Sequence, residues 1–385
     1  MLFLTRKVAY GLRTQGVRYL LRAPRNEFAH PRMAATRFVR IGMISVLDRL
    51  KRSNRPPDAL AQDCLVFVYD LNVSPVTFDF ATHLAAAEVE RRLRKLEGIF
   101  VLLILGSHDG VRQELPDYGA ALDPTARQWR VRHILVPLLA LLPSVRGHAV
   151  CPSEREAEAL MPSDMARLYP NDYRVFMPRQ PLNRVVFDHA RRGVPIFPVL
   201  RATERARQHV ATFVETTCAG RRPLVISLRD SPNTPQRNSR LQDWLAFARS
   251  LDRERCAPIF VLDTDAVMRG RPADLDGEIV CEAASWSVEI RMALYEAAWL
   301  NMAVMHGPME LCWYSDRARY LIFYEPMTDA NQMDLMRDNG QALSGDLEFA
   351  MPWQRIVRQG DRLDVLRRAF EEMTRTLEIA AQATT

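Results

Sequence analysis

The chain has 385 residues, 48% of them hydrophobic, 25% charged and 8% aromatic, a composition that excludes the disordered, collagen-like and disulfide-scaffold classes. A single hydrophobic core stops growing at roughly 250–300 residues, so two domains and an appendage are expected. The formal charge of +6 is unevenly spread: residues 1–55 hold thirteen Lys and Arg against two acids, Glu27 and Asp48, and the remainder is acidic, which argues against a nucleic-acid-binding body.

The basic stretch reads as a helical arm. Leu4, Val8, Leu12 and Tyr19 fall on one helical stripe and Lys7, Arg18, Arg22 and Arg25 on another, with Gly11 and Gly16 weakening the helix. A second stretch, 37–52, places Val39, Met43, Val46 and Leu50 on one face with basic residues at both ends. Two readings stand: helices packed on the body with solvated arginines, or peripheral contact with an anionic membrane surface. The arm has no acid before Glu27, as in transit peptides, yet lacks Ser until Ser45, and no secretory apolar core is present. The longest apolar runs, 99–105 and 134–142, fall short of the roughly 18–20 residues that span a bilayer.

After a linker around Pro56-Pro57, strand and helix signals alternate. A β-run at 65–69 leads through 70–75 into a helix over about 78–96 and an apolar strand at 99–105. A helix over 125–142 should bend at Pro137 and stop at Pro143. A short strand at 148–151 follows, then a helix opened by the capping-box pair Ser153 and Glu156. Five prolines between Tyr169 and Pro198 mark an inter-domain connection. A second α/β unit has strands at 223–228, 258–262, 278–281, 302–305 and 319–324, helices near 240–251 and 287–300, and a terminal helix over 361–381. Near-continuous Val/Ile/Leu runs fit parallel sheets covered on both faces. The expected domains are an arm and linker at 1–59, an α/β domain at 60–198 and a second at 199–385.

The six cysteines, Cys64, Cys151, Cys218, Cys256, Cys281 and Cys312, have no metal or redox spacing and read as reduced, buried thiols, placing the protein on a cytosolic face.

In open α/β sheets ligands bind beyond the carboxyl ends of the strands. That rule selects Arg229 in Ser227-Leu228-Arg229-Asp230-Ser231, the following loop ending Arg237-Asn238-Ser239-Arg240, and the turn His306-Gly307-Pro308-Met309-Glu310. A helix starting at that turn would offer N–H groups to an anion, although Pro308 lacks one. The alternatives are a plain strand-to-helix turn and, for Arg229, a structural ion pair with Asp230 or Glu296. Trp286, Trp313 and Tyr314 add aromatic surface, whereas Trp299 reads as core. No G-x-G-x-x-G follows a strand and no P-loop is present.

The motifs ISLRDS, FVLDTD and a strand followed by HGP-x-E, set in a two-domain α/β chain with a Pro-rich connection, resemble GT-B-type glycosyltransferases of the fucosyltransferase-like and heptosyltransferase-like branches. The resemblance implies two Rossmann-like domains facing a cleft, no cofactor, a nucleotide-sugar donor held by the second domain, and a glycan or lipid-linked acceptor. By position, Arg229 would meet the diphosphate together with the polar loop containing Asn238 and Arg240. His306, Gly307 and Met309 would cradle phosphate, Glu310 would reach the ribose, and Asp263 and Thr264 would border the base. Transfer would be metal-independent; Asp263-Thr264-Asp265 matches D-x-D in letters alone. Candidate bases are Asp70, Asp79, His83 one turn later, and His108-Asp109. Rival readings are a nucleotide-sugar epimerase and a catalytically silent binding or scaffold protein.

Overall fold

The computed structural model describes residues 27, 33–51, 62–114, 122–232, 234–264, 269–325, 339–340 and 345–382. The first amphipathic stretch of the arm and Asp265 lie outside them. The fold is α/β, as expected, with two separate sheets. By contacts the chain forms two units that interleave along the sequence: residues 1–75, 93–113 and 146–182 make the first, and 76–92, 114–145 and 183–385 the second.

The first unit contains the helix α1 (Ala34–Lys51) and a four-stranded sheet of β1 (Cys64–Asp70), β2 (Gly98–Ile104), β3 (Val145–Cys151) and β4 (Leu168–Tyr169), in the order β3-β2-β1-β4. Strand β1 lies parallel to both neighbours, β2 and β4. Every residue of β1 is buried, as a central strand covered on both faces requires, whereas the edge strand β3 alternates between half-buried and exposed positions.

The second unit carries a six-stranded sheet whose neighbours pair in parallel throughout: β5 (Arg222–Ser227), β6 (Cys256–Val261), β7 (Ile279–Val280), β8 (Leu300–Val304), β9 (Tyr320–Phe323) and β10 (Gln354–Val357). Its order is β10-β9-β8-β5-β6-β7. Counted from β5 and read from the β7 edge, that is 3-2-1-4-5-6, the doubly wound order of dinucleotide-binding folds. Leu224, Ile226, Phe260, Met302 and Phe323 pack with Trp244 and Phe247 of one helix and Leu366 and Met373 of the terminal helix, Leu363–Gln382, on one side of the sheet. From β5, Ser227 instead meets the Tyr295 hydroxyl of the helix Val288–Ala297 at 2.8 Å. Trp299 packs on the core edge-on to Phe370 and beneath the Arg222 guanidinium.

The helix α2 (Phe80–Leu93), all but its last residue, belongs by contacts to the second unit although it follows β1 in the chain. The helix expected over 125–142 is interrupted. An α-helical segment, Pro124–Arg130, passes into a π-segment, Val131–Leu135, before Val136–Leu139. Pro137 has no N–H, and its ring clashes with the carbonyl four residues back; the ladder widens here so that the Val136 N–H reaches Val131 O. All six cysteines are buried and unbridged, and burial raises every thiol, which leaves no activated nucleophile among them.

Candidate functional site

The order of the second sheet creates a topological switch point between β5 and β8, because the chain leaves β5 toward β6 and leaves β8 toward β9. Past the strand ends each ladder continues with its outer neighbour: Leu228 N–H donates to Val261 O at 2.9 Å, and Met305 N–H donates to Phe323 O at 2.8 Å.

Arg229 lies two residues past the end of β5, 8% exposed. Its guanidinium donates to Thr234 O at 2.9 Å, to the Thr234 hydroxyl and to Asn238 Oδ1, and its own N–H donates to Ser239 Oγ at 2.9 Å. The loop following Arg229 is thus folded around it. The expected ion pair with Asp230 or Glu296 is not the arrangement found: Asp230 pairs with Arg269, and Glu296 accepts from Ala202 N–H and lies 4.0 Å from Arg207. Asn238 is a clamp within the loop, accepting also from Ser231 N–H and donating to Ser231 O. Arg237, which the sequence shows only as part of the loop, donates to Met305 O at 3.1 Å and so ties the loop to the end of β8. Burial and the neighbouring Arg237 cation lower the Arg229 guanidinium, so two positive groups stand close together at the switch point.

Asp263, after β6, accepts from Asp230 N–H at 3.0 Å, and Thr264, next in the chain, is buried. Arg240 N–H is capped by Asp361 Oδ2 at 2.8 Å, the oxygen that also takes the Trp244 indole N–H at 2.7 Å, while the Arg240 side chain is exposed.

His306 is buried. Its Nδ1 hydrogen-bonds Val304 O at 2.7 Å, and Nε2 has no hydrogen-bond partner. Burial drives the imidazole down to about 4, with Arg291 and Arg229 adding to the shift, so the ring is neutral at pH 7. With Nδ1 as donor to the carbonyl, Nε2 is an acceptor without a donor. Gly307 sits in close approach to its neighbour: a Cβ there would stand 3.0 Å from Phe78 Cβ, tighter than an ordinary contact. The expected anion cradle differs in the structure. The segment after His306 is a 3₁₀ turn, Gly307–Met309, and a single helical turn, Glu310–Trp313. Met309 N–H bonds His306 O, Glu310 N–H bonds the turn's own carbonyls, and the Met309 side chain is fully buried. Few N–H groups of the turn are left for a phosphate, and one helical turn carries little dipole.

Glu310, expected at a ribose, is buried and meets the start of α2 instead. Thr82 Oγ1 donates to Glu310 Oε2 at 2.6 Å, Tyr314 OH donates to Thr82 Oγ1 at 3.0 Å, and the Glu310 carboxyl hydrogen-bonds the half-buried Asp79. Burial first, and the Asp79 carboxylate second, raise Glu310 well above the carboxylate range. Both causes favour the neutral form of the Glu310 carboxyl. The sequence offered no sign of this partnership across more than two hundred residues. His83, a candidate base one turn after Asp79, is fully buried.

In the first unit, Asp70 at the end of β1 is fully buried and accepts from Asn72 N–H at 2.8 Å, Asn72 Nδ2 at 3.0 Å and Tyr173 OH at 2.7 Å. Burial raises its carboxyl. His108 is exposed in a turn closed by the Gly106–Gly110 and His108–Val111 bridges, 3.2 Å from Ser107 Oγ, with Asp109 at φ 51°. Trp286 is exposed, whereas Trp313 and Tyr314 are buried and present little stacking surface. Among the described residues no cluster of three or more His, Cys, Asp or Glu is placed to hold a metal ion.

No protein-family model and no curated protein sequence matches the chain. Among solved structures, a glycosyl transferase family 9 protein from Veillonella parvula is 12% identical with a TM-score of 0.46, covering 70% of this chain and 82% of its own. E. coli ADP-heptose lps heptosyltransferase II is 12% identical with a TM-score of 0.47, covering 82% and 99%. E. coli heptosyltransferase WaaC, solved with ADP-2-deoxy-2-fluoro heptose, is 13% identical with a TM-score of 0.38, covering 80% and 99%. All three bear the names of glycosyltransferases, the class that the motifs resemble. Likenesses this distant carry no activity to the present chain.

Proposed function

We propose that the protein is a glycosyltransferase that binds a nucleotide-sugar at the switch point between β5 and β8 and moves the sugar to a glycan or lipid-linked hydroxyl. The observation that carries the reading is the topological switch point between β5 and β8, with Arg229 and Arg237 beside it. In transfer, the acceptor oxygen bonds to the anomeric carbon as the carbon–oxygen bond to the nucleoside diphosphate breaks and the leaving group keeps the electron pair. Positive groups preorganised at the departing diphosphate stabilise the developing charge. Arg237 fills that role with Arg229 behind it, in place of a divalent metal. His306 Nε2 accepts a hydrogen bond from a donor hydroxyl or base N–H, which satisfies a buried acceptor. Asp79, hydrogen-bonded to Glu310, takes the acceptor proton. A cytosolic position at an anionic membrane surface fits an envelope or surface glycan acceptor.

The silent binding-protein reading keeps one observation in its favour: the Arg229 guanidinium is already occupied by Thr234 and Asn238. Nucleotide and sugar-nucleotide panels separate the readings. A transferase is stabilised by its nucleotide-sugar through mass action and turns it over to the nucleoside diphosphate when an acceptor is added; a binding protein is stabilised without turnover. An epimerase converts donor with no acceptor present. Stabilisation by none of the panel would remove all three.

A further inference from the structure

Helix α1 is amphipathic in an inverted sense. Arg40, the one ionisable residue between Phe38 and Leu47, is wholly buried, its guanidinium donating to Asp172 O at 2.9 Å, to Met177 O at 2.6 Å and to Asp172 Oδ2 at 3.3 Å. Ile44 is buried with it, and one turn on Asp48 pairs with Arg174 at 3.0 Å. The charged side of the helix is thus its anchor to the first unit. The opposite side presents Phe38, Val39, Ile41, Met43 and Val46 to solvent, with Phe38 81% and Val46 58% exposed. Ser45, the polar residue within this face, donates its hydroxyl to Ile41 O at 2.9 Å and so removes its demand for water.

About three turns of helix, some 15 Å long, therefore expose an uncharged apolar face. Among the described residues, six of the eleven exposed large hydrophobics lie between Met33 and Val46. A solvated helix would place Arg40 outside and these side chains inside; the observed arrangement is the reverse, which marks a face awaiting an apolar partner.

We infer that the outer face of α1 docks on an anionic lipid surface, Phe38, Val39, Ile41, Met43 and Val46 entering the boundary of the acyl chains. Charge selects this occupant. The face sits within residues 1–55, which carry thirteen basic residues against two acids, with Arg37 before it and Arg49, Lys51, Arg52 and Arg55 after it in the sequence. Basic residues this near in sequence attract anionic headgroups, each one near the surface adding to the binding. The same charge opposes a second copy of the chain, because two like arms would bring their positive charges together. This inference stands on α1 alone and is independent of the transferase reading.

The test is flotation of the full-length protein with vesicles of phosphatidylcholine alone and with 30% phosphatidylglycerol, for the wild type and for the Phe38→Glu/Val46→Glu variant. The wild type should float with the anionic vesicles and dissociate in high salt. The variant should lose binding by at least about tenfold, since two large apolar side chains no longer enter the bilayer. Its melting temperature should match the wild type, because the altered side chains are exposed. A Phe38→Trp variant should shift its emission to the blue on adding anionic vesicles and be quenched by lipid-borne quenchers. Undiminished flotation of the double-Glu variant, or an emission of the Phe38→Trp variant that the vesicles leave unshifted, would overturn the proposal. So would binding by the wild type to neither vesicle, whether sedimentation shows a dimer that the variant splits or binding appears when residues 1–26 are deleted; those outcomes would assign the face to a second copy or to the chain's own N-terminal segment.

Discussion

Both sheets contain a point where the chain direction switches, between β1 and β4 in the first unit and between β5 and β8 in the second, and the two are finished in opposite ways. Beyond β1 the buried Asp70 carboxylate accepts three hydrogen bonds, one from Tyr173 shortly after β4, and the strand end is tied shut. Beyond β5 and β8 stand guanidinium groups and an unpartnered imidazole nitrogen. One doubly wound device serves stability in one sheet and, on the proposed reading, recognition in the other. What distinguishes them is whether the polar groups at the strand end satisfy one another or remain short of a partner.

Substitutions should divide along that line. The largest expected effect is on chemistry: Asp79→Asn should lower the rate of sugar transfer by about a hundredfold to ten-thousandfold, the usual worth of a general base, with little change in melting temperature. Transfer at the wild-type rate would remove Asp79 from that role. Asp70→Ala should act oppositely, destabilising the fold by about 2–4 kcal/mol by leaving the Tyr173 hydroxyl and Asn72 donors unmatched, while any nucleotide affinity of the folded fraction is kept. Denaturant titration beside calorimetry reads both quantities; a loss of affinity larger than the loss of stability would break the comparison. Arg237→Ala should weaken nucleoside diphosphate binding by about tenfold to a hundredfold, the worth of a charge-assisted hydrogen bond, and leave stability nearly unchanged.

The smallest effects concern protons. Glu310 is raised in the folded chain, so its contribution to stability is complete below the unfolded value near about 4.3 and is lost as pH climbs toward the folded one. Glu310→Gln, which keeps a donor for Asp79, should flatten the stability curve above that value. His306 is lowered to about 4, so its contribution is present above the unfolded value of about 6.5 and disappears as pH falls through about 4. His306→Gln should reduce acid sensitivity within that window. Urea midpoints measured across pH check both, and parallel curves for wild type and variants would contradict them.

How much of this is legible in the sequence depends on where each feature draws its energy. Central strands β1, β5, β6 and β8 are covered on both faces, and their continuous apolar runs announce them. Strands β4 and β10 escape sequence reading because neither carries an apolar run: β4 has two residues at the start of the proline-rich stretch, and in β10 Gln354 is buried while Arg355 is exposed. The strand-end rule locates Arg229 and His306, since position along the chain suffices for it. It cannot say that Arg229 holds its own loop, that Glu310 turns to Asp79 and Thr82 rather than outward, or that Arg40 is drawn inward by Asp172. Those outcomes depend on side-chain partners that the spacing of residues does not reveal, and only tertiary packing brings them together.

The central claim is that the switch point between β5 and β8 binds a nucleoside diphosphate. Titration calorimetry of the wild type and of Arg237→Ala with UDP, GDP and ADP tests it most directly. The account predicts saturable one-to-one binding of at least one of these by the wild type, weakened at least about tenfold by the substitution. Binding that Arg237→Ala leaves unchanged, or no binding of any of the three, would contradict it.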